Sequence, residues 1–485
     1  MILVKRFFNA KLAQASYLIG CSDTGRAVVI DANRDIEQYV RAAAEEAVSI
    51  TDVTETHIHA DFVSGSRELA ARTGAQLLLS GEGGPDWQYA FAAEAASVLL
   101  KDGDRFDVGN VSLRALHTPG HTPEHLTFLV TDTSVLHDPV AAVTGDFLFV
   151  GDVGRPDLLE RAAHVAGTME VAARALFHSL KRLAALPDYL QVWPGHGAGS
   201  ACGKGLGSLP QSTLGYERRT NWALAPMEED DFVRRVLTGQ PDPPRYFGEM
   251  KRINKEGPKA LDPVQPGERL SIERLEALIR GRALVLDTRA AAEFAASHIP
   301  GTINIPLNRA FTTWAGWIVP YDTDYYLIVD DQCTHCLEDA LHDLRMIGLD
   351  RFGGYAAADV LSARESRGRG TARIGQIDVE GLGRRLVAGT AHVIDVRSHA
   401  EWQAGHIPGA QHIPLGELSK QTDAIPRGRP VVVHCQRGAR SAIAASLLQA
   451  HGVSEVLNLA GGFDEWRAAG LRIEREPAEA AAWTA

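Results

Sequence analysis

The chain has 485 residues, 45% hydrophobic and 23% charged, with a formal net charge of −12. That length exceeds one ordinary core and points to about three folded units, while the composition excludes long disordered or low-complexity regions. The acidic balance, with no long Lys/Arg block, argues against nucleic acid or an anionic membrane as a partner.

The start, Met1-Ile-Leu-Val-Lys-Arg-Phe-Phe-Asn9, places its charges after an apolar opening, the reverse of a secretory signal. No stretch reaches the run of about 20 apolar residues that spans a bilayer. Five cysteines (Cys21, Cys202, Cys333, Cys336, Cys435) are too few and too odd in number for a disulfide framework. A cytoplasmic protein with individually reactive thiols is expected.

In the first 200 residues, apolar runs repeatedly end in a polar cluster. Val53 leads to His57-Ile-His59-Ala-Asp61-Phe62, two histidines at i and i+2 that share one side of an extended backbone. A strand over Val111–Leu116 leads to Thr118-Pro-Gly-His121, one over Ala141–Thr144 to Gly145-Asp146, and one over Leu190–Trp193 to Pro194-Gly-His196. Imidazoles and carboxylates at successive strand ends can replace the water shell of a divalent metal. Any one of these histidines alone would read as an ordinary hydrogen-bonded residue; the ordered set does not. His117, His125, His137, His164 and His178 are read as ordinary residues.

In this order the four clusters resemble the metallo-β-lactamase fold family. Most members read His-x-His-x-Asp-His, and the last histidine helps hold a second metal; here that position is Phe62. A phenyl ring cannot ligate, so the resemblance implies one metal, held by His57, His121 and Asp146 with open positions, a set suited to non-haem Fe(II) and O₂. His59, Asp61 and His196 then orient ligands or water. The residues also admit a three-histidine zinc site that includes His59.

The segment Thr144-Gly-Asp146-Phe-Leu-Phe-Val-Gly-Asp-Val-Gly-Arg155-Pro-Asp157 is similar to persulfide dioxygenases. Arg155 and Asp157 are read as a structural ion pair. Cys202, six residues after His196 in a Gly-rich loop, is expected to approach the metal pocket, where a thiol can hold a sulfane sulfur; a small buried hydrophobe is the alternative. This stretch, continuing to Asn221, is similar to bacterial fusions of such a dioxygenase with rhodanese domains.

Prolines and glycines in Lys255–Gly267 mark a linker. Beyond it lies an internal repeat. Leu284-Val-Leu-Asp-Thr-Arg289 and His298-Ile-Pro-Gly301 recur as Val393-Ile-Asp-Val-Arg397 and His406-Ile-Pro-Gly409, and His298 and His406 lie 108 residues apart. That is a domain-sized duplication in alternating β/α grammar. Each copy has a second strand, Tyr326–Asp330 or Val431–His434, followed by a helix. Ser366–Thr371 separates the copies, and an Ala/Glu-rich tail follows Arg475.

In the second copy, Cys435-Gln-Arg-Gly-Ala-Arg440-Ser441 runs from strand to a helix expected near Ser441. Backbone amides, the helix N-terminus, Arg437 and Arg440 are expected to favour a thiolate and a persulfide anion on Cys435. Together with Gly461-Gly-Phe-Asp-Glu-Trp466, this loop resembles the rhodanese family, which implies sulfur transfer through a Cys435 persulfide. In the first copy, strand alignment puts Asp331 at the cysteine position, so that copy is expected to be inactive. Cys333-Thr-His-Cys336 is read as neither redox-active nor zinc-binding.

The expected architecture is α/β throughout: an αββα sandwich (residues 1–254), an inactive rhodanese-like domain (268–366) and an active one (375–476). The expected chemistry is oxidation of a low-molecular-weight thiol persulfide by O₂ at one Fe(II), zinc being second choice. Sulfite or thiosulfate is the product, in a homo-oligomer that contacts neither nucleic acid nor membrane. The competing readings are a glyoxalase-II-like zinc thioesterase fused to a sulfurtransferase, and a non-enzymatic persulfide sensor or sulfur-carrier adaptor.

Overall fold

The computed structural model describes residues 1–163, 167–261 and 267–475. His164, the middle of the expected linker (262–266) and the tail after Arg475 lie outside these. The chain divides into two compact units, Met1–Pro263 with Arg345–Gly348, and Val264–Leu344 with Leu349–Ala485. Among the described residues no helix is long and apolar enough to cross a membrane.

In the first unit, two six-stranded sheets are sandwiched between helices. The alternation along strand Gln14–Cys21 shows why. Tyr17, Ile19 and Cys21 point into one core with Phe128, Val130 and Val143 of the other sheet, whereas Leu18 joins Tyr39, Leu69 and Val53 in a core beneath the first pair of helices. Successive side chains of a strand face opposite ways, so one buried strand serves two cores. On the far side, helix Met169–Leu183 buries Ala173, Leu176, Phe177, Leu180 and Leu183, a single helical stripe. This stripe packs on Leu129, Ala142 and Val192 of the second sheet. Each of the Leu and Phe side chains contributes about 1.5–3 kcal/mol of burial.

The strand ends position the site. Strand Ala141–Gly145 pairs in parallel with Gln191–Pro194, and the register slips between Val143 and Gly145. The irregularity turns the chain at the end of this interior strand and presents Asp146. Strand Ser49–Thr54 stops before the histidine pair, so His57 and His59 stand on a loop and not on extended backbone as expected. Helix Phe247–Glu256 runs through Lys255 and Glu256, and Leu261 N still donates to Glu68 of the first unit. The early part of the expected linker is therefore packed structure.

The second unit holds two parallel sheets, one per repeat. Leu284–Asp287 pairs with Ile303–Asn304 and Tyr325–Val329, which in turn pairs with Phe352–Ala357. The second sheet has five strands, with Val431–His434 between His392–Asp395 and Val456–Leu459. The register corrects the assignment of the missing nucleophile. Asp395 pairs with His434, and its counterpart Asp287 pairs with Ile328. The residue equivalent to Cys435 is thus Val329, not Asp331. Helix Ala439–Ala450 begins four residues after Cys435, while its counterpart Cys336–Met346 begins seven residues after Val329.

Candidate metal centre and sulfur-transfer loop

At one end of the first unit, His57, His121 and Asp146 converge. Their ligand atoms lie within 4.8 Å of one another, and all three residues are buried. Nε2 of His57 and of His121 stand 3.9 and 3.6 Å from Asp146 Oδ2, too far for direct hydrogen bonds but a span that a cation with bonds of about 2.0–2.2 Å would fill. His57 Nε2 and both Asp146 oxygens have no hydrogen-bond partner. Buried polar atoms seldom go unpaired, and these are the atoms a metal would use.

The tautomers agree. Thr56 gives its hydroxyl proton to Asp31, leaving Oγ1 as the acceptor for His57 Nδ1 at 2.9 Å. His121 Nδ1 donates to the Arg155 carbonyl at 3.1 Å, and His196 Nδ1 to the Ala13 carbonyl at 3.0 Å. Each bond leaves Nε2 as the nitrogen facing the site, the usual arrangement behind a metal-ligating imidazole. Burial, then the charges of neighbouring imidazoles, hold His57 well below the usual histidine range. The donor set therefore fits a divalent metal.

Beside it stands a second group, Asp61, His196 and Cys202, also buried and within 4.8 Å of one another. His196 Nε2 lies 3.1 Å from Asp61 Oδ2 and 3.5 Å from Asp146 Oδ1, which ties the two groups together. Burial, reinforced by Asp146 and Asp61, pushes the Cys202 thiol up to about 12. The loop thus brings Cys202 to the site, as its spacing suggested, and gives it two residues that had been read only as orienting groups. His59 departs from the set: its Nε2 contacts Asp31 at 3.0 Å, and its ring packs 4.4 Å from the buried Phe62 ring. Burial lowers its affinity for a proton, but Asp31 outweighs this and raises it to about 9.

Two residues at this site were not found in the sequence. Asp31 follows strand Arg26–Ile30 in a left-handed conformation (φ 57°) and accepts from Thr56 N, Thr56 Oγ1 and His59. His125, read as ordinary, lies buried with its ring 5.1 Å from that of His57 and bonds Thr118 through Nδ1. A Cβ at position 195 would sit 2.8 Å from Asp146 Oδ1, so a larger residue there would have to displace that carboxylate. Arg155 and Asp157 do form a buried bidentate pair, at 2.8 and 2.7 Å. His117 bonds the Pro123 carbonyl, His178 pairs with Glu229 at the surface, and His137 is exposed.

In the second unit, Cys435 directly follows the buried strand Val431–His434. Gly438 N donates to its Sγ at 3.1 Å, and Ser441 Oγ lies at 3.5 Å. Arg440 is committed elsewhere, since both terminal nitrogens donate to Glu401 at 2.6 Å. Glu401 also completes a capping box with Ser398. Arg440 therefore clamps the loop to helix His399–Ala404, and Arg437 is the exposed cation of the loop. Cys333 and Cys336 are joined in a disulfide, which corrects the expectation of individually free thiols for this pair; Cys21, Cys202 and Cys435 are free and buried.

Family comparison agrees with the fold. Residues 10–196 match the metallo-beta-lactamase superfamily, and residues 271–353 and 378–469 match the rhodanese-like domain. A crystal structure of a metallo-beta-lactamase from Staphylococcus aureus subsp. aureus COL is 42% identical, with a TM-score of 0.68, and the match covers 73% of this chain and 99% of that one. The hydroxyacylglutathione hydrolase of Rhodospirillum rubrum is 29% identical over 49% of this chain and 80% of its own length. The mitochondrial persulfide dioxygenase ETHE1 of Bos taurus is 28% identical over 48% of this chain and 80% of its own. The chain belongs to the metallo-beta-lactamase superfamily and carries two rhodanese-like domains in tandem behind that domain.

Proposed function

We propose that the first unit oxidises the terminal sulfur of a low-molecular-weight persulfide to sulfite with O₂ at one Fe(II) held by His57, His121 and Asp146, and that Cys435 carries sulfane sulfur so that thiosulfate is the end product. The observation that carries this reading is a buried two-histidine, one-carboxylate donor set with orphaned ligand atoms, in one chain with a sulfur-transfer loop cradling Cys435. When bound, the metal supplies the site at which O₂ and the persulfide sulfur meet.

The protein's own groups do the rest. Thr56 and the Arg155 carbonyl fix the two imidazoles. Cys202, against His196, holds the sulfur end of the substrate. The oxidation balances as RSSH + O₂ + H₂O → RSH + SO₃²⁻ + 2H⁺. In the last domain the Cys435 thiolate takes the outer sulfur of a second RSSH and releases RSH. Sulfite then attacks that sulfur, the S–S bond breaks, and thiosulfate leaves with Cys435 restored as thiolate. Gly438 N, on Sγ, stabilises the anion at both stages.

The test is an oxygen electrode with metal analysis. Protein made under reducing conditions should contain one iron and take up O₂ only when persulfide is added; zinc with no uptake overturns the reading. A second reading has one observation in its favour: Asp61, His196 and Cys202 offer a second donor group. Two metals per chain with thioester hydrolysis would establish a two-metal hydrolase instead.

A further inference from the structure

The function proposed above leaves one reactive group of the second unit unused, the Cys333–Cys336 disulfide of the first copy. Its cysteines are three positions apart in sequence, so the bond ties no distant parts of the chain together and constrains the unfolded chain little. A structural staple is a poor account of it. Its place in the fold says more. Aligned on the strands, Val329 stands where the active copy has Cys435; counted back from the helices, Cys333 precedes Cys336–Met346 by three residues and Cys435 precedes Ala439–Ala450 by four. The longer loop thus returns a cysteine to the helix end and adds a second one. Asp330 shapes the turn, its carboxylate accepting from Gln332 N at 3.0 Å and its carbonyl from Cys333 N at 3.4 Å. Cys336, the first residue of an 11-residue helix, lies among N–H groups that have no partner within the helix, which favours its thiolate once the bond is open. Access differs too. Asp331, Gln332, Thr334 and His335 are exposed and both cysteines are half-buried, whereas Cys21, Cys202 and Cys435 are buried.

We propose that Cys333 and Cys336 form a dithiol–disulfide site that reduces the outer sulfur of a low-molecular-weight persulfide to sulfide, with Cys333 attacking and Cys336 resolving. The Cys333 thiolate attacks the outer sulfur of RSSH, the S–S bond of the substrate breaks, and RSH leaves. The Cys336 thiolate then attacks Cys333 Sγ, the outer sulfur departs as HS⁻, and the disulfide of this structure forms. The sum is RSSH + dithiol → RSH + H₂S + disulfide: the sulfane sulfur gains two electrons and the cysteine pair loses them. Two equivalents of a low-molecular-weight thiol reopen the pair and leave as RSSR. Charge selects the substrate. No Lys or Arg lies between Val329 and Arg345, a stretch that holds Asp330, Asp331, Glu338, Asp339 and Asp343, whereas the active copy's loop carries Arg437 and Arg440. His335 lies 3.4 Å from Glu338 and His342 3.7 Å from Asp343, so neither offsets this balance. The site therefore takes the persulfide of a cationic or neutral thiol and repels thiosulfate. None of this depends on the metal centre or on Cys435.

The test uses the full chain carrying C435S, reduced with dithiothreitol, desalted and kept free of O₂, so that neither the last domain nor oxidation contributes. Cysteamine persulfide should release a burst of about one sulfide per chain, and peptide mapping should find the Cys333–Cys336 bond restored. Adding C336S should abolish the sulfide and leave one extra sulfur on Cys333; adding C333S should abolish both. Glutathione persulfide, which is anionic, should react about tenfold more slowly. A pair that dithiothreitol opens only in denatured protein is structural and overturns the proposal, as does a burst that C333S retains. An extra sulfur on Cys336 in the C333S protein overturns the assignment of the attacking thiol, and an equal or faster reaction with glutathione persulfide overturns the charge argument. Should either serine variant fail to fold, the C435S protein decides alone: Cys333 and Cys336 still reduced after exposure to persulfide overturn the proposal.

Discussion

Cys202 occupies an unusual position for a thiol. It is buried against His196, in a loop whose Cys202 carbonyl also accepts from Arg155 N. Burial first, and then the carboxylates of Asp146 and Asp61, favour its protonated form. Cys202→Ser is expected to lower persulfide-dependent O₂ uptake about tenfold or more, equivalent to about 1.4 kcal/mol of barrier, with iron content unchanged. Unchanged kinetics at full iron loading would remove Cys202 from the reaction, and a fall from two metals to one would reassign it as a ligand. His57, His121 and Asp146 were legible because each closes an apolar run with a polar cluster, and the order of clusters is itself a pattern. Asp31 was not. Its importance comes from a left-handed turn and from what Thr56 and His59 donate to it, and neither leaves a spacing in the sequence.

Single elements carry the precision of both sites. The Arg155–Asp157 pair is buried, and Arg155 supplies through its carbonyl the acceptor that orients His121. Asp157→Ala leaves a guanidinium buried without its partner, at a cost of about 3–5 kcal/mol. Thermal melting should show that loss and metal analysis a reduced occupancy; a melting point within error of the unmodified protein would contradict the role given to this pair. In the last domain, burial pushes Glu401 up, but hydrogen bonds from Arg440 and Ser398 outweigh it and hold the carboxyl down to about 2. A folded-state pKa below the unfolded one means stability that is present above about 4.5 and lost as pH falls through about 2. Glu401→Gln should therefore melt at lower temperature than the unmodified protein at neutral pH, and the gap should narrow between about pH 4.5 and 2. A gap independent of pH would deny the ion pair its part. The same domains show where strand reading fails: a parallel strand buried on both faces is a continuous apolar run with no alternation to fix register. Tyr325–Val329 could thus be aligned two residues out of place, and only pairing with Leu284–Asp287 puts Val329 opposite the role of Cys435.

At the scale of the whole chain, the order of one metallo-beta-lactamase domain and two rhodanese-like domains was legible because repeats and motif order survive when register does not. The proposed oxidase and transferase share an intermediate, sulfite, and the chain holds both halves. Cys435→Ser removes the nucleophile but leaves Arg440, Glu401 and the metal donors in place, so the first half-reaction has no reason to change. Persulfide-dependent O₂ uptake should therefore persist within about twofold, under 0.5 kcal/mol of barrier, while the product shifts from thiosulfate to sulfite. Ion chromatography of the reaction mixture reads this directly. Thiosulfate formed by the Cys435→Ser protein at the unmodified rate would mean that sulfur transfer does not pass through the last domain, and the coupling of the two units would fall with it.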